Sequence, residues 1–423
     1  MSTTPPRNVI YCNDPGSLTE IAGMAYTDII LNFLAPGPDG NLTGPAPTPE
    51  QVQAMQNVGK NVLISLGGDP KTFASSDWQN YANDVNGLVQ QVVAFVTSNG
   101  LNGVDIDYED DNGFSTRDKN GNWAGPPVYD GVQLLIDLTN GLAQQLPPGS
   151  IITHAPQPPY FDPDAGYNPP GGTAPYTQIW EAAGNNISWV NCQFYNNSSY
   201  DDPADTKVAS YGTIVGITSA PKLLVGAPVA AAAATSGYLP LDQFTSQVIG
   251  PLRQQYPGSF GGVTGWAFLY DQGGTWADGV GLALHQQHMF YIGTDSNVHH
   301  AYSDPATGFN ADQWTHDGQA GGELATLAAG AQQHVFYVGA DGNVHHVYWD
   351  PTAGINADQW TTDAQAVSNL ATLAAGAQQH VFFTGSDKNV HHLYWDPAAT
   401  GIIANQWTSD GQAAGPLATL LTA

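Results

Sequence analysis

The stretch Gly103-Val104-Asp105-Ile106-Asp107-Tyr108-Glu109 places an acidic side chain at every second position from Asp105 onward. Successive side chains of a β-strand point to opposite faces, so this pattern predicts a strand with Asp105, Asp107 and Glu109 on one face. Three carboxylates on one face repel one another, and this repulsion favours protonation of at least one of them near neutral pH. A general acid must carry a proton near the working pH in order to donate it to the reacting group. The stretch therefore predicts one strand of an active site.

Short apolar runs on both sides of this stretch predict further strands of the same sheet. Helical stretches separate most of them, and this alternation indicates βα units with parallel strands. Eight such units in about 275 residues predict an α/β fold, the TIM (β/α)8 barrel, with its active site at the C-terminal ends of the strands. The clearest helices are expected at Asn80–Val96 and Asp130–Leu146. The eight strands are expected at Asn8–Cys12, Asp28–Leu34, Asn61–Leu66, Gly103–Tyr108, Ile151–Ala155, Ser188–Phe194, Lys222–Ala227 and Gly262–Ala267.

The C-terminal part of the chain is an internal repeat. Leu324–Phe336 and Leu370–Phe382 both read LATLAAGAQQHVF, a displacement of 46 residues, and this period fits one four-stranded propeller blade. We predict a TIM-barrel domain at residues 1–275, a junction within Asp271–Asp278, and an all-β domain of three repeats at 280–423. Three propeller-like blades are the favoured arrangement. A β-trefoil, which closes three repeats within one chain, is the alternative.

The strand sequence of the repeat occurs once more near the end of the chain. Leu324–Leu327 and Leu370–Leu373 read LATL, as do residues Leu417–Leu420, so Pro416–Ala423 is a surplus apolar strand. An exposed edge strand is a liability, and three blades are fewer than the roughly four to eight blades of a propeller. Both features favour a homodimer in which each surplus strand completes the first blade of the partner, giving a closed ring of six blades.

The charge of the chain limits the partners it can have. It carries 9 Lys and Arg against 37 Asp and Glu, a formal net charge of −28. A chain this acidic repels phosphate groups, which excludes nucleic acid as a main partner and disfavours acidic lipids. No run of 18 apolar residues is present, so no membrane span is expected. A neutral sugar polymer is the partner that fits best.

Neither a metal nor a cofactor is expected. Adjacent histidines such as His345-His346 point to opposite faces of a strand and cannot hold one ion together. Cys12 and Cys192 are expected to be buried free thiols. Met1–Arg7 lack the basic head and apolar stretch of a signal peptide, which predicts a cytoplasmic location or leaderless export, and secretion only if a leader has been removed.

Five motifs resemble glycoside hydrolase family 18, and within it the hevamine-like (class III) chitinases of plants and fungi. They occur in the family's order and on the predicted barrel strands, over about Arg7 to Tyr270. Asn102 stands where the first of these signatures usually has Asp. The five are NGVDIDYE at Asn102–Glu109, SLGG at Ser65–Gly68, APQP at Ala155–Pro158, QFYNN at Gln193–Asn197 and GVTGW at Gly262–Trp266.

The resemblance implies hydrolysis of β-1,4-linked N-acetylglucosamine polymers by a retaining, substrate-assisted mechanism. It implies that Glu109 is the general acid and base, that Asp107 orients the acetamido group of the substrate, and that Asp105 holds Asp107. Tyr195 would donate a hydrogen bond to the acetamido carbonyl. The substrate-binding residues that the resemblance implies are Tyr11, Phe33, Gly67, Gln157, Gln193 and Trp266.

Two other functions remain open at this point. A chitinase-like lectin would bind the polymer without cleaving it, and an endo-β-N-acetylglucosaminidase would use the same carboxylates on N-glycans. The repeats offer Trp, Tyr, His, Asn and Asp side chains that can stack on and hydrogen-bond to a neutral sugar, so they are expected to be lectin-like. A purely structural or oligomerising role is the alternative for the repeats.

Overall fold

A computed structural model describes residues 6–420, except 305–307, 330–331, 351, 364–365, 376–377 and 399–400. The contacts between residues divide the chain into two compact units, Met1–His285 and Gln286–Ala423. The first unit is α/β and the second is all-β within the described residues. Each unit is described by itself below.

Within the described part of the first unit, eight parallel strands form a closed barrel. Each strand pairs with the next in chain order, and β1 pairs with both β2 and β8, which closes the ring. The predicted TIM barrel is therefore confirmed, and its strand bounds differ from the predicted ones by at most two residues. The strands are β1 Arg7–Cys12, β2 Asp28–Pro36, β3 Asn61–Gly68, β4 Gly103–Tyr108, β5 Ile151–His154, β6 Trp189–Gln193, β7 Leu223–Pro228 and β8 Gly262–Trp266.

The predicted helix Asn80–Val96 is wrong in its extent, because two helices occupy this region. The second of them begins after Asp84, whose side chain accepts a hydrogen bond from the backbone N–H of Gly87 and caps a new helix. The helices are α1 Leu18–Ile21, α2 Pro49–Asn57, α3 Ser75–Ala82, α4 Val85–Ser98, α5 Gly131–Gln145, α6 Pro175–Ala183, α7 Ser198–Asp201, α8 Ala204–Val215, α9 Leu241–Phe244, α10 Gly250–Gln255 and α11 Thr275–Leu284.

The barrel strands bury both of their faces. Val104 and Ile106 of β4 pack in the apolar layer between the strands and the helices. Tyr11 and Trp189 belong to a smaller apolar cluster formed by the strands themselves. Asp105 and Asp107 alternate with Val104 and Ile106, so they face the barrel interior.

The last helix of the barrel unit lies beyond the predicted boundary at residue 275. In α11, Trp276, Val280 and Leu284 are buried in the barrel's apolar core. The predicted junction at Asp271–Asp278 therefore lies inside the barrel unit, which ends at His285. The first repeat also lacks the strand with which the second and third repeats begin, because the equivalent positions form helix α11.

Among the described residues, the second unit forms three separate antiparallel sheets. We call them blades 1, 2 and 3. A β-trefoil would pair strands of different repeats in one barrel, whereas each repeat here forms its own sheet, so that alternative is wrong. The strands are Gln287–Ile292, Val298–Asp304 and Gly308–Gln313 in blade 1; Ala320–Ala329, Gln332–Gly339, Val344–Asp350 and Gly354–Gln359 in blade 2; and Ala366–Ala375, Gln378–Gly385, Val390–Trp395 and Ile402–Gln406 in blade 3.

Three further features of the described residues bear on function. No helix among them is both long enough and apolar enough to cross a membrane. No group of three or more His, Cys, Asp or Glu side chains in this part of the chain is placed to hold a metal ion. Cys12 and Cys192 are both free and buried, as expected.

Candidate active site

The C-terminal half of β4 carries the three carboxylates that the sequence singled out. Asp105 is fully buried, Asp107 is nearly so, and Glu109, just beyond the strand, is half-buried. Parallel pairing sets Asp105 beside Ser65 of β3 and Thr153 of β5. The carboxylates therefore lie at the end of the barrel where TIM-barrel enzymes have their active sites.

Four neutral donors surround the Asp105 carboxylate. Its Oδ2 accepts hydrogen bonds from the hydroxyls of Tyr11 at 2.9 Å and Ser65 at 2.8 Å. Its Oδ1 accepts from the hydroxyl of Thr153 at 2.6 Å and from Nδ2 of Asn191 at 3.1 Å. A buried carboxylate with four donors is locked in one orientation. Asp105 is thus a rigid support at the base of the site.

Ser65, Thr153 and Asn191 were not among the residues predicted from the sequence. The signal that points to Ser65 and Thr153 is the register of the sheet, because both are direct neighbours of Asp105 on the adjacent strands. Asn191 lies two residues before Gln193 on β6 and so shares its inward face. The Oδ1 of Asn191 in turn accepts hydrogen bonds from Thr264 and Trp189, which holds its amide toward Asp105.

Asp107 and Glu109 are connected through Gln193. The Nε2 of Gln193 lies 2.8 Å from Oδ1 of Asp107 and 3.2 Å from Oε1 of Glu109. The same nitrogen donates to the carbonyl oxygen of Ala155 at 2.9 Å, which anchors the amide to the end of β5. One side chain of β6 thereby holds the two outer carboxylates in a fixed relation to each other.

Burial raises the pKa of each of the three carboxyl groups. For Asp107, the negative charges of Glu109 and Asp105 add to the effect of burial, and its pKa lies well above the usual range. For Asp105, the four donors partly offset the effect of burial. Burial also raises the pKa of Glu109, with further contributions from the nearby Asp69 and Asp111. These shifts favour the protonated form of Glu109 at a higher pH than for an exposed glutamate.

Aromatic side chains form one wall of the site. Trp266, at the end of β8, has its ring 5.5 Å from that of Tyr11 and 5.9 Å from that of Phe33.

Burial and the charges of Asp107, Glu109 and Asp105 raise the pKa of Tyr195, so its hydroxyl stays protonated. That hydroxyl makes no hydrogen bond to the described residues. Tyr195 therefore brings an unengaged O–H donor close to the carboxylates.

Gly67 has a steric role at this site. Its φ is +117°, and a Cβ added there would lie 2.0 Å from the backbone oxygen of Asp107. Only glycine allows β3 and β4 to approach this closely beside Asp107. Gly67 thus contributes by letting the backbone of Asp107 come close, whereas it offers no side chain to contact a substrate.

Two other residues from the sequence argument make no hydrogen bond to the side chains of this cluster within the described part of the chain. Gln157 is half-buried just after β5, and its side chain makes no hydrogen bond to the described residues. Asn102, which replaces the usual aspartate of the signature, accepts hydrogen bonds from the backbone N–H of Val62 and from Gln56. Asn102 thus joins β4 to its neighbours at the other end of the strand.

Comparisons with known proteins agree with this geometry. The sequence profile of Glycosyl hydrolases family 18 matches residues 7–256, and a repeat of unknown function (DUF346) matches residues 332–369. Acidic endochitinase SE2 of Beta vulgaris is 28% identical over 286 residues, which cover 62% of this chain and 85% of that protein. An acidic endochitinase of Nicotiana tabacum is 28% identical over 231 residues, 52% of this chain and 68% of that protein.

A solved structure supports the same assignment. The crystal structure of a GH18 chitinase from Pseudoalteromonas aurantia superposes with a TM-score of 0.58 at 34% sequence identity. The match covers 66% of this chain and 99% of that one. The family profile extends over more than half of the chain and includes all three carboxylates of β4. The chain therefore belongs to glycosyl hydrolases family 18.

Proposed function

We propose that the barrel is an endo-acting chitinase that hydrolyses β-1,4-linked N-acetylglucosamine polymers. The observation that carries the proposal is the amide of Gln193, which contacts both Asp107 and Glu109 beside the Tyr195 hydroxyl. This arrangement offers a proton donor and an acetamido-binding group at one end of the barrel. The named relatives, which are endochitinases, support the choice of chitin as the substrate class.

In the proposed first step, the carboxyl proton of Glu109 passes to the oxygen of the glycosidic bond as that bond breaks. The raised pKa of Glu109 supports this role, because a general acid must still be protonated at the working pH. In the second step the same carboxylate removes a proton from water, which attacks the anomeric carbon. Configuration is retained because the anomeric carbon is attacked twice.

The nucleophile of the first step is proposed to be the substrate's own acetamido oxygen. It bonds to the anomeric carbon as the leaving sugar departs, which gives an oxazolinium ion. Asp107 would hold the acetamido N–H and balance the positive charge, while the Tyr195 hydroxyl would donate to the acetamido oxygen. Asp105 is proposed as a positioning residue, since its own oxygens are already occupied by four donors.

Product analysis tests the proposal against the N-glycan alternative. We expect the 423-residue chain to release short oligomers from chitohexaose from the first minutes onward, as an internal cut requires. A high-mannose glycopeptide with an intact chitobiose core serves as the parallel substrate and should remain uncut. Release of the high-mannose glycan with chitohexaose intact would contradict the chitinase proposal, and binding of both substrates without products would favour the lectin alternative.

We also propose that the repeats bind a neutral sugar. Support comes from a partly exposed His–Asp pair that recurs in each blade, His299 with Asp295 at 2.9 Å, and His345 with Asp341 and His391 with Asp387 at 3.0 Å. An aromatic ring stacks on one face of each of these histidines and holds it in place. The partly exposed imidazole and carboxylate of each pair can then hydrogen-bond to the hydroxyl groups of a sugar.

The full-length Glu109→Gln protein is the sample for testing this sugar binding, because it should not consume the ligands. We expect it to bind neutral glycans on an array, and His345→Ala in the same background should weaken that binding several-fold for ligands held by the repeats. Equal binding by both proteins to every glycan would contradict a role for the His–Asp pair.

A further inference from the structure

The two end blades of the repeat unit each leave one face uncovered. We call one surface of each blade its front face. In blade 1 this surface carries Met289 and Tyr291, and in blade 2 it carries the equivalent residues Val335 and Tyr337. The opposite surface, which carries Trp314 or its equivalents, is called its back face. The back face of blade 1 packs on the front face of blade 2, and blade 2 packs on blade 3 in the same way.

Burial of equivalent side chains shows which faces lack a neighbour. Tyr337 on the front of blade 2 is 2% exposed, whereas Tyr291 on the front of blade 1 is 45% exposed. Trp314 on the back of blade 1 is 5% exposed, whereas Trp407 on the back of blade 3 is 63% exposed. Each uncovered face thus presents apolar side chains that the same fold buries elsewhere.

A glutamine–histidine contact joins each pair of neighbouring blades, and at the two uncovered faces one member of this pair lacks its partner. Nε2 of Gln333 lies 3.2 Å from Nε2 of His288, and Gln379 makes the same contact with His334 at 3.3 Å. The next histidine in this series is His380, whose Nε2 is shielded from solvent and has no partner among the described residues. The glutamine that precedes the series is Gln287, which is exposed on the front of blade 1.

Blade 1 lacks the strand that the other blades have first. Blades 2 and 3 begin with Ala320–Ala329 and Ala366–Ala375, each paired to the next strand, whereas blade 1 begins at Gln287–Ile292 in the described residues. The residues that would supply this strand belong to α11 and are packed in the barrel core. The chain segment before blade 1 therefore cannot complete it.

The segment Leu417–Leu420 is placed to supply such a strand. It reads LATL, like the first strands of blades 2 and 3. The Thr419 hydroxyl donates to the carbonyl oxygen of Thr372 at 2.7 Å, and the Thr372 hydroxyl donates to the carbonyl oxygen of Thr326 at the same distance. The segment thus occupies the position of the first strand of a following blade.

We propose that the front face of blade 1 docks on the back face of blade 3 of a second copy of this chain. Gln287 of one copy would donate to Nε2 of His380 of the other, and Leu417–Leu420 would pair with Gln287–Ile292 as its missing strand. The two faces differ, so the contact is head-to-tail, and two identical contacts close a ring of six blades with two-fold symmetry. Each junction then repeats the contact between blades 1 and 2.

Sedimentation of the 423-residue chain at micromolar concentration tests this proposal, in about 0.15 M salt to screen repulsion between the acidic chains. We expect twice the mass of one chain. Tyr291→Asp on the front face and Trp407→Asp on the back face should each give monomers, because a buried unpaired charge opposes docking. Phe309→Asp is the control: Phe309 is exposed, and its equivalent Ile355 stays exposed in blade 2 even with neighbours on both sides.

A mixture of the two variants distinguishes a head-to-tail contact from a symmetric one. An equimolar mixture retains one intact front face and one intact back face, so it should form dimers again. The substituted side chains are exposed within one chain, and an unchanged far-ultraviolet circular dichroism spectrum checks that each variant is folded. If Tyr291→Asp does not fold, Met289→Asp repeats the test on the same face. A monomeric parent protein, a mass of three or more copies, or dimers in both variants would overturn the proposal.

Discussion

The Glu109→Gln variant is expected to hydrolyse chitooligosaccharides at least about 10²-fold more slowly than the parent protein, as for loss of a general acid. The amide keeps the size of the side chain and an oxygen that can accept from Nε2 of Gln193, but it is too weak an acid to transfer a proton. Binding of chitooligosaccharides should remain close to that of the parent protein. Initial rates and calorimetric titration measure the two quantities separately.

Glu50→Gln provides the matched control for this experiment. Glu50 is exposed in the first turn of α2, so the same chemical change there should leave the rate unchanged. A Glu109→Gln protein that keeps more than a tenth of the parent rate would show that another group supplies the proton.

The second large effect is expected from the substrate. An oligosaccharide with glucose in place of N-acetylglucosamine at the cleaved sugar should be hydrolysed at least about 10³-fold more slowly, because it lacks the acetamido oxygen that acts as an intramolecular nucleophile. The unmodified oligosaccharide of equal length is the control. A thiazoline analogue of the oxazolinium ion should inhibit competitively.

Cleavage rates and inhibition by the thiazoline test the same step independently. Efficient cleavage of cellooligosaccharides would rule out the acetamido group as the nucleophile, and with it the role proposed for the Tyr195 hydroxyl. Weak inhibition by the thiazoline, combined with inert glucose substrates, would instead point to recognition of the acetamido group in binding alone.

Local pattern was sufficient to predict much of the barrel. The alternation at Asp105, Asp107 and Glu109 assigned the three carboxylates to one face, because side-chain direction alternates within a strand whatever its partners. The cap of α2 was predictable for the same reason, since Thr48 and Gln51 are three residues apart and satisfy each other's backbone N–H groups. Such contacts depend on near neighbours alone.

The length of a helix was less predictable where two signals competed. The apolar pattern from Asn80 to Val96 continues without interruption, and it predicted one helix. Asp84 instead caps a second helix, because its short acidic side chain satisfies a backbone N–H that a continuous helix would have bonded internally.

The sequence by itself determined which residues share a face of β4 and how often the C-terminal unit repeats. The tertiary structure decided what surrounds Asp105, since its donors come from β1, β3, β5 and β6, and the sheet register selects them. It also determined that Trp314 is buried and Trp407 is exposed, although both occupy the same position in the repeat. Whether a side chain is buried depends on which neighbouring sheet packs against it. Equivalent positions of the repeats have similar sequences, so the sequence of a repeat does not show whether its sheet has a neighbour.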